Sequence, residues 1–334
     1  MPNHGEVSPA FLILVTAVSA AAATWVYVDY RARATGSRWA RVAWWLGTLL
    51  ALPIFLPVYL IAARPPGRLI RCPSCGRPTL AHRAACRHCG TPVAFEPSPE
   101  IWGLGEVIGL GLVFMLALPV IAGAVGVAPV PTLGQLSVFA IAQNLLFIGL
   151  TVYVVRKRYR LPLDRLGLRV DRWPLWLLGG AVFGAASIPL SVGAESAAVA
   201  LIGAIVGRGR AEAMAEQEHL TDVLTGILQR PLTPPQIVWI VLLVCVLVPI
   251  GEEMFFRGFV YGTLRRWGVV AAAVLSALFF AAVHQQVVHF LPIALLGVIL
   301  AVLYERTGSL LPAVIVHAAN NLVAVLGALY KWNI

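Results

Sequence analysis

The stretch Val248-Pro-Ile-Gly-Glu-Glu-Met-Phe-Phe-Arg-Gly-Phe259 places Glu252, Glu253 and Arg257 inside a run otherwise apolar enough to lie in a membrane. At the bilayer centre each such charge costs roughly 2.5 to 3.5 kcal/mol on insertion scales, so ionisable residues at that depth face a protein-lined cavity and mark function. Helical spacing sorts the three. Glu253 and Arg257 are four apart, share a face and can pair, whereas Glu252 points about 100° away and stays free. Two later stretches, Phe280-Ala-Ala-Val-His284 and His317-Ala-Ala-Asn-Asn321, also put their end residues four apart, each pair on one helical face.

The composition sets these residues in a membrane protein. Of the 334 residues 59% are hydrophobic and only 12% charged, and the mean hydropathy is +0.84. A soluble chain of this length needs more surface charge, so the fold expected is an all-α, polytopic membrane helical bundle. The net charge of +10 does not point to nucleic acid. The Lys and Arg residues sit in short loops beside apolar runs, which is the positive-inside pattern, and no nucleic-acid partner is expected.

Apolar runs fall at 9–29, 42–63, 103–127, 136–155, 174–206, 236–264, 269–288, 290–305 and 309–330, giving about eight or nine membrane segments. No Lys or Arg precedes Arg31, so the first run is expected to be retained as a span and not cleaved as a signal peptide. Pro53 and Pro57 interrupt the second run, which either kinks or re-enters. Arg31, Arg33, Arg38 and Arg41 assign a cytoplasmic side to the first loop, and the Arg156-Lys-Arg-Tyr-Arg160 run assigns one after the fourth span. Two full crossings at the N-terminus would set these two assignments against each other, so the second segment is re-entrant or the first loop is a basic external one. Between 207 and 235 the acids Glu212, Glu216, Glu218 and Asp222 outnumber the bases, and Leu220, Val223, Leu224, Ile227 and Leu228 recur at helical spacing, as in an amphipathic surface helix. Glu106, Glu195 and His289 have no motif partner and read as packing or interfacial residues, and Cys245 as packing.

A polar island separates the second and third runs. Cys72-Pro-Ser-Cys75-Gly and Cys86-Arg-His-Cys89-Gly are two knuckles, each offering two thiolates from a tight turn closed by a glycine. Two such pairs in so short a segment suit structural tetrahedral zinc better than disulfides or a thioredoxin-like redox pair, and a metal supplies the stability that a small core cannot. The segment resembles a zinc ribbon. His82 and His88 are expected to be solvated, because four cysteines already close the site. Pro92, Pro97 and Pro99 then make a linker.

The ordered set Glu-Glu-x-x-x-Arg, Phe-x-x-x-His and His-x-x-x-Asn on successive apolar segments resembles the CPBP family of intramembrane proteases, which includes the CaaX prenyl endopeptidases and bacteriocin-processing or immunity proteins. The resemblance covers roughly residues 236 to 330. It implies that Glu252 and His284 hold and activate a water, that His317 and Asn321 stabilise the oxyanion, and that Glu253 with Arg257 braces the helix. Depth agrees independently of the family. Counted from the basic ends at about 1.5 Å per residue, Glu252 and Asn321 lie roughly 20 Å in, His284 roughly 24 and His317 roughly 14.

The chain therefore divides into an N-terminal membrane hairpin (1–67), the zinc ribbon (68–96), accessory membrane helices with an external amphipathic segment (100–235) and a protease core (236–334). The function expected is hydrolysis of a peptide bond in a membrane-embedded or lipidated, CaaX-like substrate by glutamate-activated water. A catalytic zinc on Glu252, His284 and His317 is the rival mechanism, and the metal-free one is favoured. A non-catalytic scaffold or immunity protein of the same fold and a proton-coupled transporter are the other readings; the transporter would want an inverted repeat, and none is detectable. The partners expected are the lipid bilayer, the peptide substrate and a protein docked on the ribbon. The expected location is the plasma membrane, with the ribbon in the cytoplasm, where thiols stay reduced.

Overall fold

The computed structural model describes residues 9–33, 36–93, 102–126, 131–170, 173–221 and 223–330, with side chains except at 9–12, 219–221 and 223. Pro97 and Pro99 of the expected linker, together with Arg172 and Asp222, lie outside the described residues. The chain forms two compact units, Met1–Leu116 and Ala117–Ile334. Among the described residues, seven helices are long and apolar enough to cross a membrane and two more are apolar but shorter, which makes the chain an all-α polytopic membrane bundle.

The first unit opens with α1 (Pro9–Arg33), followed by α2 (Arg38–Leu50) and α3 (Leu52–Ala63). Ala51, just before Pro53, breaks the second apolar run at φ −139° and ψ 57°, so α2 and α3 fold back on each other and Gly47 sits against Phe55. At about 1.5 Å per residue neither arm reaches across a hydrocarbon core of about 30 Å. Both ends of the hairpin lie at the end of α1. Asp29 there accepts hydrogen bonds from Arg33 at 2.8 Å, Tyr59 at 2.7 Å and Arg64 at 2.8 Å, and Arg33 also donates to the carbonyl of Gly67. The second segment is thus broken into two arms that fold back on each other, and the root of the ribbon lies by the end of α1.

The ribbon itself is a two-stranded antiparallel hairpin, β1 (Leu69–Arg71) with β2 (Pro78–Leu80), registered Leu69 to Leu80. Gly76 and Gly90 close its two knuckles at φ +70° and +73°, in the left-handed region that a side chain disfavours. The long helix α4 (Leu104–Val125) then begins, capped by Glu106, whose carboxylate accepts from the Gly103 amide at 2.9 Å.

The second unit contains α5 (Leu133–Arg158), α6 (Trp173–Val206), the surface helices α7 (Arg208–Thr221) and α8 (Val223–Leu228), α9 (Pro234–Trp267), the short α10 (Val269–Val283), α11 (Phe290–Thr307) and α12 (Leu310–Tyr330). The expected amphipathic segment is the pair α7 and α8, whose Ile227 and Leu228 pack with Cys245 and Val325 in one core cluster. Two wide π-helical stretches, Leu243–Leu247 and Met254–Tyr261, bracket the α-helical turn Val248–Glu253 within α9. Pro249 cannot donate to the carbonyl four residues back, and the widened turn before it accommodates that loss. The turn carrying the two glutamates is buried throughout from Gly251 to Tyr261.

Candidate active site

Glu253 is the centre of the polar cluster. Its Oε1 accepts from Arg257 Nη1 at 2.7 Å and from His317 Nδ1 at 2.9 Å. A carboxylate already paired with a guanidinium is an acceptor, so the imidazole carries its proton on Nδ1 and turns Nε2 toward Glu252, whose Oε2 lies 3.8 Å away. That separation is too long for a direct hydrogen bond. Glu253, Arg257 and His317 are all at least 97% buried. Arg257 also donates to the Gly297 carbonyl at 3.3 Å and lies 4.5 Å over the Phe280 ring, so the cation meets a carboxylate, a carbonyl and a π-face, while its Nε is buried without a hydrogen-bond partner. Gly297 makes this reach possible, because a Cβ there would come within 2.9 Å of Ala277 on α10.

His284 and Asn321 complete the set differently. His284 forms the C-cap of α10, is exposed, and its Nδ1 donates to the Phe280 carbonyl at 2.7 Å, which leaves Nε2 as the lone-pair nitrogen. Among the described residues no hydrogen bond joins it to Glu252. It is linked to His317 through Phe280, whose ring meets both imidazoles edge-on at 4.8 and 5.7 Å. Asn321 donates from Nδ2 to the Val244 carbonyl at 2.9 Å, inside the first π stretch of α9, and its second amide hydrogen remains. Glu252, Glu253, Arg257 and His317 are therefore brought into direct contact, while His284 and Asn321 stand at the margin of that group.

Residues 234–323 match the family model described as type II CAAX prenyl endopeptidase Rce1-like. These residues are an Rce1-like domain. The match begins with α9 and takes in all three motifs. An uncharacterized 24.3 kDa protein of Escherichia coli is 26% identical over 183 residues, which cover 53% of this chain and 74% of that protein. A UPF0177 protein, YxdF, of Lactococcus lactis is 31% identical over 78 residues, 23% of this chain and 43% of its own length. No solved structure matches this chain.

Asn144, which motif reading missed, reaches the Rce1-like domain from outside. It is 99% buried on α5, its Nδ2 donates to the Ala140 carbonyl at 2.9 Å, and its Oδ1 has no hydrogen-bond partner. That oxygen lies against Gly251, the residue before Glu252, and occupies the space a Cβ would need. A lone Asn in an apolar run, level with a glycine beside the motif, was the available signal.

Glu218 of α7 also reaches the domain. Its carboxylate accepts from the amides of Val287 at 2.6 Å, Val288 at 3.0 Å and His289 at 3.1 Å, and from His289 Nδ1 at 2.9 Å. These are the orphan amides ahead of α11, so α7 supplies that helix's cap in trans. Burial raises the Glu218 carboxyl, but the bonds from Val288, Val287 and His289 outweigh it and hold the group below its usual range. Between His284 and this cap, Gln285 adopts a left-handed φ of 58°. The expected interfacial His289 is thus the hinge pin of the turn after His284, and Glu195, 3.8 Å from its Nε2, joins it from α6. A cavity of about 410 Å³ lies here, lined by Ser187, Glu195, Glu218, Gln286, His289 and Asn320 among others.

The ribbon holds a second candidate centre. The sulfurs of Cys72, Cys75, Cys86 and Cys89 all lie within 4.8 Å of one another, with Cys72 to Cys89 at 3.6 Å and Cys75 to Cys86 at 3.8 Å. Sulfurs about 2.3 Å from a tetrahedral metal stand roughly 3.8 Å apart, so the spacing fits one bound ion and is far too long for a disulfide. The thiols do not shift alike: hydrogen bonding to the Thr91 hydroxyl and amide pulls Cys89 down to about 6, whereas at Cys75 the Arg77 backbone bond is outweighed by burial and bonding to the neighbouring sulfurs, which push that thiol up to about 11. A 25-residue stretch of the chain is 64% identical to the large ribosomal subunit protein bL32 of Pelodictyon phaeoclathratiforme, 38% of that protein, which fits a zinc-ribbon module. His82 and His88, expected to be solvated, are half-buried: His82 Nδ1 is enclosed without a partner, and His88 Nε2 sits 3.3 Å from the Pro78 carbonyl.

Proposed function

We propose that the chain is an intramembrane endopeptidase that hydrolyses a peptide bond of a membrane-embedded or lipidated substrate, with Glu252 as the base that activates water. The observation that carries this reading is the division of labour between the two glutamates. Glu253 is consumed by Arg257 and His317, while Glu252 is bound to neither and faces the free side of the same imidazole.

The steps follow from that arrangement. Glu252 takes a proton from water as the water oxygen bonds to the substrate carbonyl carbon, and the carbonyl electron pair moves onto oxygen. The spare amide hydrogen of Asn321 donates to that oxyanion, joined by His317, which Glu253 holds through Nδ1, when its Nε2 carries a proton. Collapse re-forms the carbonyl, breaks the carbon–nitrogen bond and returns the proton from Glu252 to the leaving amine. His284, with its lone pair on Nε2, orients the attacking water from the mouth of the site.

The four ribbon cysteines bind structural zinc in this reading, with the ribbon in the cytoplasm, where it serves as a docking module for a protein partner. A CaaX-type substrate would be cut beyond its lipidated cysteine, and a transmembrane peptide would enter from the bilayer. The test compares membrane peptides by mass spectrometry in cells carrying the wild-type chain or Glu252→Gln. Peptides cut only by the wild type, with the variant assembled in equal amount, support the proposal; identical peptide sets would sink it. Turnover by protein stripped of metal separates the metal-free mechanism from one using zinc on Glu252, His284 and His317.

A further inference from the structure

His284 ends α10, and the chain reverses immediately after it. The amides of His284 and Gln285 still bond the Ala281 and Ala282 carbonyls at 3.1 and 3.2 Å, so the helix itself holds the chain only as far as Gln285. Gln285 then turns at φ 58°, in the left-handed region, a conformation that a residue with a Cβ keeps only where its surroundings enforce it.

What enforces it comes from elsewhere in the chain. His289 stands at the N-cap position of α11 with no side-chain cap of its own. Instead the Glu218 carboxylate gathers the amides of Val287, Val288 and His289 at 2.6, 3.0 and 3.1 Å, together with His289 Nδ1 at 2.9 Å. Successive amides aimed at one carboxylate fix the direction of the backbone just beyond Gln285. Apolar packing does not supply that direction. Val288 is buried in a cluster with Ala198 and Ala215, which sets a place but no orientation, and Gln286 and His289 border the cavity of about 410 Å³. Glu218 belongs to α7, outside the residues 234–323 that match the family model, so the motifs do not contain it.

We propose that Glu218 is a positioning residue for peptide hydrolysis: by holding the three amides it keeps Gln285 left-handed and His284 at the end of α10, aimed at the attacking water. This rests on the reading of His284 as the residue that orients that water. Without the carboxylate, Gln285 relaxes to a right-handed conformation, the last turn of α10 runs on or frays, and the imidazole leaves its place beside Phe280. A purely structural Glu218 is the simpler alternative. It predicts that assembly and rate are lost together, and that easing the turn at Gln285 recovers nothing.

The test uses the full-length protein in nanodiscs and a synthetic peptide spanning a bond that the wild type cuts and Glu252→Gln does not. Glu218→Ala, still assembled, should lower kcat roughly 10- to 100-fold at unchanged KM, as misplacing a catalytic group by about 1 Å does. Amide exchange at Val287, Val288 and His289 should quicken by about tenfold or more. Adding Gln285→Gly should recover most of the rate while those amides still exchange fast, because glycine adopts the left-handed conformation without strain. The proposal is overturned if Glu218→Ala keeps the wild-type kcat while His284→Ala loses it, if Gln285→Gly recovers nothing, or if exchange at the three amides does not change. A wild-type rate in His284→Ala, or no peptide cut by the wild type, instead defeats the reading of the site and the catalytic role of Glu218 with it; exchange at the three amides still decides whether Glu218 sets the turn.

Discussion

His317 is oriented by Glu253, through a 2.9 Å bond from Nδ1 to Oε1, and not by Glu252, which faces its other nitrogen at 3.8 Å. The second glutamate of the motif is therefore more than a partner for Arg257. It fixes which side of the imidazole is free, and it does so from the helix that also carries the free carboxylate.

The two glutamates should fail differently when replaced. Glu252→Gln keeps shape and removes the base, so turnover should fall by roughly 10² to 10⁴ while thermal stability is unchanged. Glu253→Gln strands Arg257 in low dielectric, at roughly 3 to 5 kcal/mol, and frees the His317 ring, so stability and turnover should both drop. Glu253→Leu with Arg257→Met should regain stability without regaining turnover, because nothing then orients His317. Wild-type turnover in Glu252→Gln, or recovered turnover in the apolar pair, would show the roles to be misassigned.

The ribbon should carry about one zinc per chain, measurable by metal analysis of protein prepared reduced and without chelator. Cys72→Ser or Cys86→Ser, each removing a buried sulfur, should abolish binding and leave the helical content of the membrane bundle in place. Affinity should fall as pH falls, because thiolates must be protonated to release the ion. Four disulfide-bonded cysteines in reduced preparations would exclude the reading.

Gly251 and Asn144 should be coupled. Gly251→Ala drives a methyl group into the Asn144 carboxamide and should cost roughly 1 to 3 kcal/mol while displacing Glu252, so turnover falls too. Combining it with Asn144→Ala opens the space and should recover part of both losses. A double mutant no better than the single one would show that the two residues do not share that space in the folded protein.

The Glu218 cap should be pH-dependent. Its folded pKa is depressed, so its contribution is present above the ordinary carboxylate range and is lost as pH falls through the folded value. Hydrogen-exchange protection of the Val288 amide, corrected for intrinsic rate, should fall across that acidic window in the wild type. In Glu218→Gln it should be low and flat; an identical acid-dependent loss there would assign the effect to another group.

The sequence by itself determined the membrane bundle, the four-cysteine centre and the helical pairing of Glu253 with Arg257. Each of these is local: hydropathy over one run, thiol spacing across two turns, or residues four apart on one helix. What only the tertiary structure decided depends on which elements meet. The broken segment at Ala51 could kink or re-enter on sequence grounds, and it was the shared Asp29 that brought Arg33 and Arg64 to one level. His317 could have turned either nitrogen to either glutamate, and the packing of α12 against the buried turn of α9 chose Glu253. Asn144 and Glu218 are distant in sequence from the motifs they touch, and no periodicity links them; their contacts exist because helix packing and an orphaned helix N-terminus needed partners.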